Sequence, residues 1–172
     1  MARAFIGIGS NLNPAENVRK AVRELARRSQ LRAISTVYLT EPIDRPDQPQ
    51  YYNLVAEIET GLSPIDLKRN LLLPIEQDLG RSRDSDKFSP RTIDLDLILY
   101  DDLVLKDADL ELPDPEIAVR PFLVKPLQEL APDLVVPGIN RTIAELAEGV
   151  SQDCMKSLND YTELLRKEIK QR

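Results

Sequence analysis

The chain has 172 residues, 42% of them hydrophobic, which supplies one domain with a real core and argues against a second. Its net charge of −6 argues against nucleic-acid binding through a basic surface, so any anion site has to be a local cluster of arginines. One cysteine, Cys154, and no histidine exclude an intrachain disulfide framework, a His-dependent triad and a His-ligated zinc site.

Ala4 to Ile8 is a short apolar run closed by Gly9-Ser10-Asn11 and reads as a first strand. No basic stretch leads into an apolar signal core there. No apolar run approaches the ~20 residues of a bilayer span, so a cytoplasmic protein without membrane contact is expected. Asn13-Pro14-Ala15-Glu16 then supplies an N-cap, a first-turn proline and a glutamate at the third helical position. Val18, Ala21, Val22, Leu25 and Ala26 follow at helical spacing up to the basic pair Arg27-Arg28.

Leu31 to Leu39 reads as one second strand. Tyr51 to Thr60 reads as a third, with Tyr52, Leu54, Ala56 and Ile58 on one face and Tyr51, Asn53, Val55, Glu57 and Glu59 on the other. Between them lies Glu41 to Gln50, a long loop with three prolines. Ser63-Pro64-Ile65-Asp66 opens a second helix carrying Leu67, Leu71, Ile75 and Leu79, and Pro74 should kink or divide it. A strand from Arg91 to Tyr100 completes the order β-α-β-β-α-β. The fold class expected is α+β, a ferredoxin-like antiparallel sheet covered by helices.

Past Tyr100 the chain is proline-rich and acidic, with no pattern that indicates chemistry. Thr142-Ile143-Ala144-Glu145 looks like a capping box. From Ser151 onward, Leu158, Tyr161, Leu165 and Ile169 fit an amphipathic helix that packs on the domain or on a second subunit. Residues 1–150 are read as the functional domain and 151–172 as its C-terminal helical extension.

The most informative segment is Arg91-Thr92-Ile93-Asp94-Leu95-Asp96-Leu97-Ile98-Leu99-Tyr100, which reads as a core strand. Alternation sends Ile93, Leu95, Leu97 and Leu99 one way and Asp94 and Asp96 the other, with roughly 6.5 to 7 Å between the two aspartate Cα atoms. Half-buried carboxylates this close repel and resist desolvation, so they need compensating charge, either basic side chains or a bound metal ion. Oxygen-only ligands suit magnesium, which takes one or two carboxylates and completes its shell with water and substrate phosphates. The same alternation also describes an edge strand whose polar face is simply wet. Gly80-Arg81-Ser82-Arg83 and Ser89-Pro90-Arg91 tip the balance, because guanidinium forks beside a carboxylate pair are what a polyphosphate needs.

Several strings together resemble the 6-hydroxymethyl-7,8-dihydropterin pyrophosphokinases of folate biosynthesis. They are Gly7-Ile8-Gly9-Ser10-Asn11-Leu12, Tyr38 with Thr40 and Pro42, Asp47-Gln48-Pro49 leading to Tyr51 and Asn53, Glu76 with Gly80-Arg81-Ser82-Arg83, Pro90-Arg91-Thr92-Ile93-Asp94-Leu95-Asp96, and Arg120-Pro121-Phe122. The glycine string alone is weak, since a glycine-rich strand end is more often a tight turn. The Pro-Arg-Thr-Ile-Asp-Leu-Asp string is specific.

The resemblance implies pyrophosphoryl transfer from ATP to the pterin alcohol, with AMP leaving, and the same ferredoxin-like fold. Asp94 and Asp96 would then hold two magnesium ions and, with Arg81 and Arg91, form the catalytic set. Glu76, Arg83, Phe88, Arg91, Ile98 and Arg120 would contact ATP, Phe88 standing where many members carry a tryptophan. Thr40, Pro42, Ile43, Tyr51, Asn53 and Phe122 would form the pterin pocket. Departures from the pattern lie at Asp109, Glu111 and Asp114, the last where members commonly carry a histidine. The expected partners are the small molecules ATP and hydroxymethyldihydropterin, without nucleic acid or membrane, in a monomer or weak homodimer. A non-catalytic pterin- or nucleotide-binding domain is the alternative.

Overall fold

In chain order the elements are β1 (Ala2–Ser10), α1 (Pro14–Arg28), β2 (Gln30–Ile34), β3 (Tyr38–Thr40), β4 (Tyr51–Thr60), α2 (Pro64–Asp66), a π-helical stretch (Leu67–Leu72), α3 (Leu73–Asp78) and β5 (Asp94–Tyr100). They continue with β6 (Leu105–Lys106), β7 (Glu111–Leu112), α4 (Pro121–Leu130), β8 (Val135–Val136), β9 (Arg141–Thr142), α5 (Ile143–Glu148), β10 (Lys156–Ser157) and α6 (Asn159–Lys170). This computed structural model describes residues 1–43, 45–81 and 90–171. Among them no helix is long and apolar enough to cross a membrane.

The main sheet is antiparallel, in the order β10-β3-β4-β1-β5, with β2 also paired to β4. Alternation along the two longest strands builds two cores. Ile6 and Ile8 of β1 with Leu54, Ala56 and Ile58 of β4 pack under Val18, Val22 and Leu25 of α1 and under Leu71 and Ile75 of the second helical run. Phe5 and Val55 face the other way, under Val124 and Leu127 of α4 and Ile143 of α5. Each such buried aliphatic side chain contributes about 1.5–3 kcal/mol, so the two faces together fix the register of the sheet. Thr142 forms the expected capping box with Glu145.

Four sequence expectations need correction. The stretch from Leu31 to Leu39 is two strands, not one, because the register against β4 slips between Ile34↔Ala56 and Tyr38↔Asn53. Ser35 bridges the break: its N–H donates to the Val55 carbonyl at 2.9 Å and its hydroxyl accepts the Val55 N–H at 2.9 Å.

Asn13 does not cap α1 with its side chain. It adopts a left-handed conformation, φ 42°, and its backbone carbonyl takes the Glu16 and Asn17 N–H groups. Pro74 does not divide the second helix. The preceding turns widen, with Leu73 N–H reaching back to Lys68 O, and a π-helical stretch absorbs the missing donor.

The aspartate strand β5 is an edge of the sheet, paired with β1, a position its alternation already allowed, and its apolar side chains are buried as expected of a core strand. Its alternation, however, fails after Leu97, since Phe5 faces Leu99 while Ile6 faces Leu97, which leaves Ile98 as a bulge. Leu99 therefore joins Phe5 and Val55 in the second core, away from Leu95 and Leu97.

The C-terminal helix begins at Asn159, and before it β10 adds a strand beside β3. Leu158, Tyr161, Leu165 and Ile169 pack on the first core, as the spacing requires. The helix also serves the β2–β3 break: Val37 N–H donates to Thr162 Oγ1 at 2.9 Å and Arg166 donates to the Ile34 carbonyl at 3.2 Å.

Candidate active site

Because Ile6 and Ile8 face the first core, Gly7 and Gly9 present bare backbone to the opposite face of the sheet. A Cβ on Gly9 would stand 2.8 Å from Asn53 Oδ1, and one on Gly7 3.1 Å from the tip of Ile98 and 3.5 Å from Leu123. The two glycines thus floor a cavity of about 460 Å³. They lie within a strand and not in a turn. Their i, i+2 spacing inside an apolar run was the signal that could have identified a cleft floor.

One wall carries Thr40 at the end of β3, Pro42 and Ile43 beyond it, Tyr51 and Asn53 on β4, and Phe122 in the first turn of α4. Asn53 Nδ2 donates to Thr40 Oγ1 at 2.7 Å, so the amide is held while its Oδ1 hangs over Gly9. Burial pushes the Tyr51 hydroxyl above its ordinary pKa and keeps it a neutral donor.

The other wall carries Arg91, Asp94, Asp96 and Arg120, with Asp114 and Glu116. Residues far apart in sequence meet there through hydrogen bonds of Ser10 and Asn11, at the end of β1, to the backbone of Arg91 and Thr92. Arg91 N–H donates to Asn11 Oδ1 at 2.6 Å, the Arg91 carbonyl accepts Asn11 N–H at 3.1 Å, and Ser10 Oγ donates to Thr92 O at 2.6 Å. The bulge does similar work, because the Ile98 carbonyl takes the Asp114 N–H at 2.8 Å and brings residue 114 to the cleft.

Charge is distributed unevenly along β5. Asp94 Oδ1 accepts from Arg81 Nη1 at 2.5 Å, and Asp94 Oδ2 accepts from Arg91 Nη1. The same Arg81 Nη1 donates to Glu76 Oε1 at 2.5 Å, and that oxygen also takes the Leu95 N–H at 2.7 Å. Glu76 is 3% exposed, and its burial pushes its pKa up against those donors.

Asp96 is exposed to the open cleft, and among the described residues no guanidinium pairs with it. Desolvation raises its pKa to about 7, and the charges of Asp94, Glu76 and Asp114 push the same way. Asp114 has its own pKa raised by burial and accepts the Glu116 N–H at 2.8 Å, while Arg120 pairs with Glu116 at 3.0 Å.

Ten of the residues singled out in the sequence therefore line one cavity: Thr40, Pro42, Ile43, Tyr51, Asn53, Arg91, Asp94, Asp96, Arg120 and Phe122. Glu76 and Arg81 stand behind the carboxylates instead of lining the space, and Ile98 is buried in the second core, on the same side of the sheet as the cavity and against the bare face of Gly7. Arg83 and Phe88 lie outside the described residues. Arg45, Gln48, Asp114 and Glu116 also line the cavity. The stretch past Tyr100, where composition showed no chemistry, supplies a wall because the β5 bulge and α4 fold it over the sheet.

Residues 5–132 match the model of a family described as 7,8-dihydro-6-hydroxymethylpterin-pyrophosphokinase (HPPK). A 2-amino-4-hydroxy-6-hydroxymethyldihydropteridine pyrophosphokinase from Synechocystis is 41% identical over 88% of this chain and 76% of its own length. A protein of the same name from Haemophilus influenzae is 37% identical over 92% of this chain and 99% of its own. Among solved structures, Plasmodium falciparum HPPK-DHPS wild type with SDX-DHP superposes with a TM-score of 0.64 over 87% of this chain at 13% identity, a likeness of fold alone. The chain spans less than half of that structure, 43% of its length.

Proposed function

The chain belongs to the 7,8-dihydro-6-hydroxymethylpterin-pyrophosphokinase family, and from that premise we propose that its cleft moves a pyrophosphoryl group from ATP to 6-hydroxymethyl-7,8-dihydropterin, a step of folate biosynthesis. The observation that carries this reading is the meeting, in one cavity, of an amide, a hydroxyl and aromatic rings on one wall with paired carboxylates and arginines on the other.

On the first wall, Asn53 is the recognition group for the pterin edge. A ring that offers adjacent donors and acceptors needs both from the protein, and a strand-borne amide supplies both. Thr40 holds that amide in place. Tyr51 and Phe122 supply apolar faces for the ring, and Pro42 and Ile43 close the side toward the long loop. On the second wall, Arg91 and Arg120 face the triphosphate, and Arg81 is held from behind by Glu76.

The residues present fit a divalent cation. Asp94 and Asp96 share a strand face that opens on the cavity, and their oxygen-only donor set suits magnesium better than a softer metal. Asp94, Glu76 and Asp114 put negative charge around Asp96, which a cation would relieve. Magnesium held by two carboxylates would complete its shell with water and substrate phosphate oxygens. Magnesium, two ions in this reading, would be held by Asp94 and Asp96 and would neutralise phosphate charge when bound.

The reaction itself needs no protein nucleophile. The pterin hydroxymethyl oxygen attacks the β-phosphorus and gives up its proton, which ends in solvent, while the bond from that phosphorus to the α-phosphate oxygen breaks and AMP leaves with the electron pair. The side chains on both walls hold the two substrates in line, and the arginines stabilise charge on the transferred and departing groups.

We further read the strand order as ferredoxin-like, residues 1–150 as the catalytic domain with 151–172 as its C-terminal helical extension, and the protein as a cytoplasmic monomer or weak homodimer. The test of function is AMP release. It should require ATP, magnesium and the pterin together, and Asp96→Ala should lower it at least ~100-fold while the thermal transition persists. Binding of both substrates to the wild type without AMP release would leave only a binding domain.

A further inference from the structure

The carboxylate pair on β5 is held by a buried group that takes no part in lining the cavity. Because β5 is an edge of the sheet, N–H groups on its outer side must find partners other than β1. The N–H of Leu95, the residue between the two aspartates, donates to Glu76 Oε1 at 2.7 Å. The same oxygen accepts from Arg81 Nη1 at 2.5 Å, and that nitrogen also donates to Asp94 Oδ1 at 2.5 Å. One carboxylate oxygen therefore holds the backbone between Asp94 and Asp96 and, through a single nitrogen, the head group of Asp94. The helix α3 makes this possible by sending Ile75 into the first core and the next residue, Glu76, to β5.

Stability alone does not account for a glutamate at this place. Glu76 is 3% exposed, and a carboxylate at that depth loses hydration that its pairing repays only in part, so an apolar side chain of similar size would serve the fold as well. Capping one N–H needs only an amide oxygen. What the charge adds is a second pull on Arg81, which fixes where that guanidinium stands and so how Asp94 Oδ1 is turned. We propose that Glu76 is a positioning residue of the transfer site, setting the relative pose of Asp94 and Asp96 through Arg81 and the Leu95 N–H without touching the nucleotide. This rests on the reading of Asp94 and Asp96 as the cation site of a pyrophosphokinase. It gives Glu76 a different task from the ATP contact that the resemblance implies.

The test separates the rate of transfer from the affinity for each ligand. Glu76→Gln keeps an oxygen for the Leu95 N–H and removes the charge that holds Arg81, whereas Glu76→Asp keeps the charge and withdraws it by one methylene. Both are compared with wild type and with Asp96→Ala for AMP formation in a single turnover, at saturating ATP and pterin, across a magnesium titration. Calorimetry gives the pterin affinity and the metal-free affinity for a non-hydrolysable ATP analogue.

Each Glu76 variant should be slower than wild type by at least ~10-fold even when magnesium saturates, since reacting groups held ~1 Å out of place lose that much or more. Pterin affinity should stay within about twofold of wild type, which also shows that the fold is intact, and the metal-free affinity for the analogue should not fall. Full recovery of the rate at saturating magnesium would reduce Glu76 to a source of charge and overturn the positioning role. So would a Glu76→Asp protein as fast as wild type, a parallel loss of pterin affinity, or a loss of metal-free analogue affinity, the last being the mark of a nucleotide contact. A slow Asp96→Ala beside two fast Glu76 variants would remove this proposal alone. If Asp96→Ala is as fast as wild type, the cation site is misplaced and the functional reading fails together with the proposal.

Discussion

Replacing Gly9 by alanine tests whether the bare strand floor positions the pterin-recognition group. No backbone strain is involved, because Gly9 lies within β1 and its φ is not positive. The added Cβ would stand 2.8 Å from Asn53 Oδ1, where ordinary contact begins at 3.4 Å, so the amide must retreat by roughly 0.6 Å. Asn53 is tethered at its other end to Thr40 Oγ1 at 2.7 Å, so retreat means loss of that hydrogen bond, an off-rotamer side chain, or both. A neutral hydrogen bond contributes ~0.5–1.5 kcal/mol and a displaced rotamer costs about as much, a total of ~1–3 kcal/mol. Pterin affinity measured by calorimetry should fall ~5- to ~150-fold, with the affinity for an ATP analogue nearly unchanged. Gly7→Ala provides the contrast, because its nearest neighbour is the movable tip of Ile98 at 3.1 Å and its effect should stay under ~1 kcal/mol. A pterin dissociation constant for Gly9→Ala within twofold of wild type would refute the assignment of Asn53 to pterin recognition over that floor.

The Asp96 carboxyl should titrate near pH 7 in the ligand-free protein, followed by carbon NMR of the side chain, and Asp114→Asn should lower that value by removing a facing charge while keeping an oxygen for the Glu116 N–H. An Asp96 pKa unmoved in Asp114→Asn would mean that the two carboxylates do not sense each other. Since the folded pKa lies above the ordinary 3.8, ionising Asp96 costs the folded state stability as pH rises through about 7 and nothing below about 4. Asp96→Asn should therefore raise the ligand-free melting temperature at pH 8 more than at pH 5, and an equal shift at both would contradict the assignment. Thr162→Val leaves the Val37 N–H without its buried acceptor and should cost ~1–3 kcal/mol in urea unfolding, whereas Thr162→Ser should cost little. A valine variant as stable as wild type would show that the C-terminal helix does not secure the β2–β3 break through this bond.

Local pattern was enough for those parts of the molecule whose period is uninterrupted. The faces of β4, the apolar stripe of α1 and the Thr142 capping box follow from side-chain direction and cap chemistry alone, and neither depends on a distant partner. The carboxylate pair was legible for the same reason, since an i, i+2 spacing on a strand puts Asp94 and Asp96 on one face whatever lies across from them.

Where the period breaks, the cause lies on another strand and tertiary structure decides. Ile98 bulges because β1 pairs Phe5 with Leu99 and Ile6 with Leu97, which sends Leu99 to the second core and brings Asp114 to the cleft. The break at Ser35 depends on Val55 and on Thr162 of the C-terminal helix, neither of which is near it in sequence. The apportioning of charge is likewise a tertiary matter. Sequence brings arginines and aspartates into one neighbourhood, but the buried Glu76 behind β5 anchors Arg81, while Arg91 faces the cavity. Composition can state that two carboxylates need compensation. Which oxygen is compensated, and by which guanidinium, depends on distances of a few ångströms that are set only when β1, β5 and the helix bearing Glu76 close around one another.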